Sequence, residues 1–197
     1  QLLESTPSPD FTEDDVRVLL AASLLHDIGH YPFSHLLEEM QAFFVDHEKR
    51  GRQIIQDSGT EVNRALVGAG IDPARVANVI DYENKQVDIP REDLRLAHIL
   101  SGTLDPDKID YLLRDARYCG VPFGESVNRD RLIGSITYDA EGERPAITYK
   151  GVSAVEALIF TSYLMYRNVY WHHAVRSANA MFKRGVQDLF THPDCGL

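Results

Sequence analysis

The stretch that decides the fold is Leu25-His26-Asp27-Ile28-Gly29-His30-Tyr31-Pro32-Phe33-Ser34-His35. It closes a run from Val16 to Asp27 that is apolar almost all round, interrupted as far as Leu25 by Arg17 and Ser23, and reads as a buried helix. Thr12 with Asp15 supplies a capping box at its start, while Gly29 and Pro32 end it. A His-Asp pair at the end of such a helix is costly unless its polar atoms are satisfied. A divalent cation satisfies both at once, through an imidazole nitrogen and a carboxylate oxygen. An isolated pair is more often two side chains hydrogen-bonded at a helix end. Here His26, His30 and His35 crowd around a Gly-Pro break, which shifts the balance toward a site. His30 stands one turn beyond His26 and shares its face if helical geometry persists; His35 and Glu38, three apart, can face one another on the next helix.

Working outward, the pattern predicts helices over residues 34–44, 47–56, 61–67, 73–81, 92–100 and 107–118, separated by Gly68, Gly70, Pro73 and Gly102. Near Leu132 the pattern changes. Ile133 to Tyr138 and Ala146 to Tyr149, with a polar loop between them, read as a β-hairpin. Ser153 with Glu156 signals a second capping box, and a long helix is expected to run to about His173 and on through Phe190. The fold class is therefore mostly α, a helical bundle with a small β-hairpin insertion. The expected division is a helical core over 1–131, the hairpin over 132–150, and a helical part of the same domain over 151–197.

The second informative stretch is Asp105-Pro106-Asp107-Lys108-Ile109-Asp110-Tyr111-Leu112-Leu113-Arg114-Asp115. At about 100° per residue, Asp107, Lys108, Tyr111, Arg114 and Asp115 fall within an arc of roughly 120°. Ile109, Leu112 and Leu113 take the opposite, core-facing side. The polar arc offers a carboxylate for a metal, two cations for phosphates, and a tyrosine and carboxylate suited to a sugar. Alone, it is more often a solvated face with Asp–Arg pairs at helical spacing. A third cluster, Tyr166-Arg167-Asn168-Val169-Tyr170-Trp171-His172-His173, fits either contacts to a base and a polyphosphate or an interface surface.

Composition bounds the function. The 197 residues, 44% hydrophobic, suffice for one core, and the net charge of −10 argues against a broad basic surface for long nucleic acids. A locally positive pocket for a small anion remains compatible with that charge. No apolar run approaches the roughly 20 residues that span a bilayer, and the polar opening lacks a signal peptide. Cys119 and Cys195 are too few for a disulfide framework, so a cytoplasmic location is expected. The opening at Gln1, with no initiator methionine, reads as a fragment.

Together, His26-Asp27 and the run from Asp107 to Asp115, with Asp27 and Asp107 80 positions apart, resemble the HD-domain phosphohydrolase superfamily. Within it, the resemblance is to the deoxynucleoside triphosphate triphosphohydrolases and their uncharacterised bacterial relatives, and it covers the chain from about Leu19 to His173. It implies a metal-dependent hydrolase of a small nucleotide that yields a deoxynucleoside and triphosphate. By the same resemblance His26, Asp27 and Asp107 match metal ligands. Lys108 matches a phosphate contact, Tyr111 a sugar-packing residue, and Asp115 a partner for the 3'-hydroxyl. His35 with Glu38 matches a dyad that protonates the leaving oxygen, and His30 and His47 match histidines near the reacting phosphate. Tyr170 and His172 match nucleotide contacts, while Arg114 is assigned to offsetting charge or to pairing with its neighbours.

The divalent metal implied is iron, manganese, zinc, nickel or magnesium, without a choice among them. Relatives assemble as dimers or tetramers, so a homo-oligomer is an expectation of the same kind. The family's first ligand is a further histidine on an upstream helix, and no histidine precedes His26. Two positions that carry cations in the vertebrate enzyme are Ser162 and His173 here, which weakens the triphosphate reading more than the hydrolytic one. The competing readings are another HD-type phosphohydrolase, acting on a monophosphate, cyclic dinucleotide or alarmone, and a nucleotide sensor with a degenerate site.

Overall fold

The computed structural model describes residues 10–102 and 104–192. Cys195 lies outside the described residues. The described residues form ten α-helices and one two-stranded sheet: α1 Glu13–Leu25, α2 His35–Glu38, α3 His47–Gln56, α4 Glu61–Gly68, α5 Pro73–Ile80, α6 Arg91–Leu100, α7 Pro106–Tyr118, α8 Arg129–Ile133, β1 Ile136–Tyr138, β2 Pro145–Ile147, α9 Val152–Met165 and α10 His173–Thr191.

Local chemistry sets most of these boundaries. The Thr12 hydroxyl accepts from the Asp15 amide at 3.1 Å while the Asp15 carboxylate accepts from the Thr12 amide at 2.9 Å, completing the capping box that opens α1. Asp72 accepts from the Ala74 amide and Pro73 occupies the first turn of α5; Asp105 and Pro106 do the same for α7.

Two apolar clusters hold the helices together. The first joins Val18 and Ala22 of α1 to Ile55 of α3, Val76 and Val79 of α5, and Leu96 of α6. Each fully buried aliphatic side chain there contributes about 1.5–3 kcal/mol by leaving water. Polar links tie the same helices: Arg75 reaches Asp14, Asp15 and Asp93, and the buried Arg52 donates to Asp81 at 2.7 Å. The second cluster packs Ile109, Leu112 and Ala116 of α7 against Leu132 of α8 and Leu158 and Met165 of α9.

Six expectations need correction. α1 is not buried all round, since Leu20 is 61% and Leu24 85% exposed; only Val18, Ala21 and Ala22 reach the core. It also stops at Leu25, leaving His26 as C-cap and Asp27 in the following turn. The helix expected over 34–44 is the four-residue α2, because Phe33 and Ser34 take positive φ (67° and 46°) and the chain after Glu39 turns so that Phe44 meets Tyr31. Ile133 belongs to α8, whose start Asn128 caps by accepting from the Arg131 amide, so each hairpin strand has only three residues. β1 pairs antiparallel with β2, Ile136 opposite Ile147.

The last two corrections concern the helix that follows. The Ser153–Glu156 box does not form, since α9 begins at Val152 with Gly151 as its N-cap and no side-chain cap. Nor does α9 run on to Phe190. Tyr166 to Tyr170 widen into a π-helical turn, closed by the Trp171 amide donating to the Tyr166 carbonyl at 2.8 Å, and His172 then restarts the chain as the N-cap of α10.

Candidate active site

The π-helical turn and the restart at His172 let α10 come back beside α2 and α7, and a cleft of about 830 Å³ lies among them. A cleft of this size suits a nucleotide-sized ligand. From α7 it receives Asp107, Tyr111 and Asp115, spaced four residues apart on one face. His35 comes from α2, and Tyr166 and Tyr170 from the π-helical turn. The Tyr170 hydroxyl donates to Asp115 at 2.8 Å, and the Tyr111 and Tyr170 rings meet edge to face at 6.3 Å. Burial pushes both phenols up, Tyr111 further through Tyr166 and Tyr170 further through its bond to Asp115, so both stay protonated donors.

Beside the cleft, four side chains from three segments converge. Glu38 sits at the centre. Its Oε1 lies 2.9 Å from His30 Nδ1, and its Oε2 lies 3.0 Å from His47 Nδ1 and 3.2 Å from His35 Nδ1. The His30 and His47 rings stack at 3.9 Å, and His35 meets both edge-on. Burial alone would raise the Glu38 carboxyl. The hydrogen bonds from His47 and His35, with the charges of His47 and His30, outweigh that and hold it below the usual carboxylate range. The ligand-capable atoms of these four residues all lie within 4.8 Å of one another.

A second donor set adjoins it. His26 Nδ1 faces the Ser23 carbonyl at 3.0 Å, which makes that nitrogen the donor and leaves Nε2 with a free lone pair. His26 Nε2 lies 3.3 Å from Asp27 Oδ1, and the same oxygen lies 3.3 Å from His30 Nε2. Asp107 feels the charges of both His26 and Asp27. Burial raises its carboxyl, Asp27 and Asp105 raise it further, and His26 and Arg114 pull the other way. Among the described residues, the group whose ligand-capable atoms lie close enough together to hold an ion is His30, His35, Glu38 and His47, and it does not include His26, Asp27 or Asp107.

Several expected contacts are placed elsewhere. Lys108 turns from the 830 Å³ cleft toward the Gly102 carbonyl and Asp105, lining a separate space with His98 and Arg144. The cause lies in α7's own cap: Asp105, which caps the helix, also accepts from the Lys108 ammonium at 3.0 Å. Arg114 pairs with Asp110 at 3.2 Å on the exposed side of α7. His172 is exposed, capping α10 with its ring tilted against that of His173 at 4.2 Å, and does not line the cleft. Conversely, the sequence reading missed Glu39, Arg176, Asn179 and Lys183, which do line it. Arg176, Asn179 and Lys183 recur at helical spacing just after the third cluster, which was the available signal.

No helix among the described residues is long and apolar enough to cross a membrane. Comparison with known proteins gives the same architecture. A family model described as the HD domain matches residues 2–115, and one described as the HD associated region matches residues 127–196. The uncharacterised protein YwfO of Bacillus subtilis is 38% identical over 180 residues, 89% of this chain and 38% of that protein. The deoxynucleoside triphosphate triphosphohydrolase SAMHD1 homolog of Dictyostelium discoideum is 26% identical over 199 residues, covering 95% of this chain and 36% of its own length. The crystal structure of a phosphohydrolase from Bacteroides thetaiotaomicron superposes with a TM-score of 0.67 at 25% identity, over 94% of this chain and 49% of that one. The chain thus spans less than half the length of these relatives. With the HD-domain model matching more than half of its residues, the chain belongs to the HD-domain family.

Proposed function

We propose that the chain is the catalytic part of a metal-dependent phosphohydrolase that cleaves a deoxynucleoside triphosphate into deoxynucleoside and triphosphate. The observation that carries this reading is the cleft itself, where Asp107, Tyr111, Asp115 and Tyr170 share one wall and His35 stands at the edge of the Glu38 cluster. The Dictyostelium relative's name and the Bacteroides phosphohydrolase support it.

His26, Asp27 and Asp107 are the residues that would hold a divalent cation. A cation held there supplies Lewis acidity toward a phosphoryl oxygen and lowers the pKa of a coordinated water. Glu38 positions the three imidazoles through their Nδ1 atoms, which turns each Nε2 outward. Of the three, His35 is the exposed one, at 72%, against 15% for His30 and 12% for His47. His35 is therefore the proton donor to the departing 5'-oxygen, while His30 and His47 fix Glu38 and face the reacting phosphate. Asp115, oriented by the Tyr170 hydroxyl, accepts from the 3'-hydroxyl of the sugar. Tyr111, in the same wall, crowds C2' and disfavours a ribose by about 1–3 kcal/mol.

The test is a panel of nucleoside mono- and triphosphates incubated with the metal-loaded protein, the products being separated by anion-exchange chromatography. Intact inorganic triphosphate is expected. Release of pyrophosphate or single phosphate would overturn the triphosphohydrolase reading. Asp107→Ala is expected to lose both bound metal and turnover, and a variant that keeps its metal removes Asp107 from the ligand set.

A further inference from the structure

The cleft contains more acid than a polyanion tolerates, unless cations face it. Asp107, Asp115 and Glu39 all line it, while Lys108 and Arg114 point elsewhere. The positive charge comes instead from α10. Arg176, Asn179 and Lys183 project from one face of that helix into the cleft, opposite the Asp107–Asp115 face of α7. Lys183 pairs with Glu39 across the cleft wall, and its side chain is two-thirds buried. The Arg176 guanidinium makes no ion pair among the described residues, so it is a cation presented to the cleft without a partner. Asn179, partly buried between them, adds an amide donor. The helix is pinned where it must be, because Phe182 meets Phe33 at 4.4 Å and Phe190 meets Phe43 at 5.0 Å.

We propose that Arg176 and Lys183 form the subsite for the distal phosphates of the substrate, with Asn179 as an auxiliary donor. The inference rests on the phosphohydrolase reading above and deepens it. A planar guanidinium with five donors matches the geometry of bridged phosphates, and a charge-assisted bond of this kind is stronger than a neutral one. Arg176 engages first, being uncommitted. Lys183 exchanges Glu39 for a phosphate oxygen and releases that carboxylate to solvent.

The probe is sodium tripolyphosphate, titrated calorimetrically into the metal-loaded chain. Arg176→Ala and Lys183→Ala are each expected to weaken its binding by roughly tenfold. Arg176→Lys should recover part of the loss, which a merely structural arginine would not show. Arg184→Ala serves as the control, since Arg184 lies on the same helix, exposed and paired with Asp188 at 2.8 Å; it should bind as the wild type does. In turnover, Arg176→Ala should raise KM for a deoxynucleoside triphosphate and leave inhibition by the free deoxynucleoside unchanged. Unaltered tripolyphosphate binding in both Arg176→Ala and Lys183→Ala, or none in the wild type, overturns the subsite. A wild type that binds tripolyphosphate through Arg176 yet releases no triphosphate from any nucleotide keeps the subsite and refutes the proposed reaction.

Discussion

Gly29 and Gly51 form a natural pair for a decisive substitution experiment. A Cβ placed on Gly29 would lie 1.9 Å from the His47 carbonyl oxygen and 2.6 Å from the Gly51 amide nitrogen. The first contact is more than an ångström inside the 3.0 Å limit that real Cβ atoms respect, and both neighbours are backbone, which cannot rotate away. The turn carrying Asp27 and His30 would have to separate from the start of α3, which carries His47. Overpacking of this severity costs about 3 kcal/mol or more, and at about 2–4 °C per kcal/mol for a domain of this size the midpoint falls by roughly 6–12 °C. A Cβ on Gly51 meets nothing closer than Ile28 Cγ2 at 3.7 Å and the Gly29 amide at 3.8 Å. Gly51→Ala should therefore be tolerated and even gain up to about 1 kcal/mol of helix propensity. Thermal melts of the two variants beside wild type read the difference directly. The histidine cluster adds a second readout, since Gly29→Ala should also lose metal or turnover in proportion to the displaced His30–Glu38–His47 geometry. If Gly29→Ala melts with the wild type while Gly51→Ala does not, the close approach of the two segments is wrong.

Further outcomes follow from the same structure. Glu38→Gln keeps the volume but removes the charge shared by three imidazoles, and turnover should fall about a hundredfold or more with the melting midpoint nearly kept; unchanged turnover removes Glu38 from the machinery. Leu112→Ala, at a fully buried position of the second cluster, should cost about 2–5 kcal/mol in urea unfolding. For Asp15, burial would raise the carboxyl, but the hydrogen bonds from Arg75 and Thr12 and the Arg75 charge hold it below its ordinary value. Its contribution is therefore present above the ordinary aspartate range and lost as pH falls through the lowered folded value. Asp15→Asn should flatten the loss of stability seen by urea melts between about pH 5 and 2, and an unchanged slope would show that the pair with Arg75 does not count. Arg75→Ala leaves Asp93, only 1% exposed, without its guanidinium and should cost about 3 kcal/mol.

Much of this was legible in the chain alone, for a definable reason. Capping signals and apolar spacing act within a few residues, so the starts of α1, α3, α5 and α7 and the core side of α7 followed from local chemistry. The same holds for His35 and Glu38, a pair at helical spacing whose contact does not depend on distant segments. What local pattern could not supply was direction after a break. Phe33 and Ser34 adopt a left-handed backbone that their residue types do not advertise, so α2 was expected to be longer than it is. The π-helical turn at Tyr166 to Tyr170 looks in sequence like an uninterrupted helix, and only packing against α7, through Tyr170 and Asp115, reveals it.

The sequence by itself determined which residues could do chemistry: imidazoles and carboxylates gathered at a helix end, and a second carboxylate on a helix far along the chain. Only the tertiary structure decided which of them share a space. It drew His30 and His47 onto Glu38, turned Lys108 and Arg114 away, and brought Arg176 and Lys183 of α10 over the cleft in their place. The physical reason is that a side chain's charge is written in its own residue. Where that charge acts is set by the turns and packing of other segments, whose energies no local window contains.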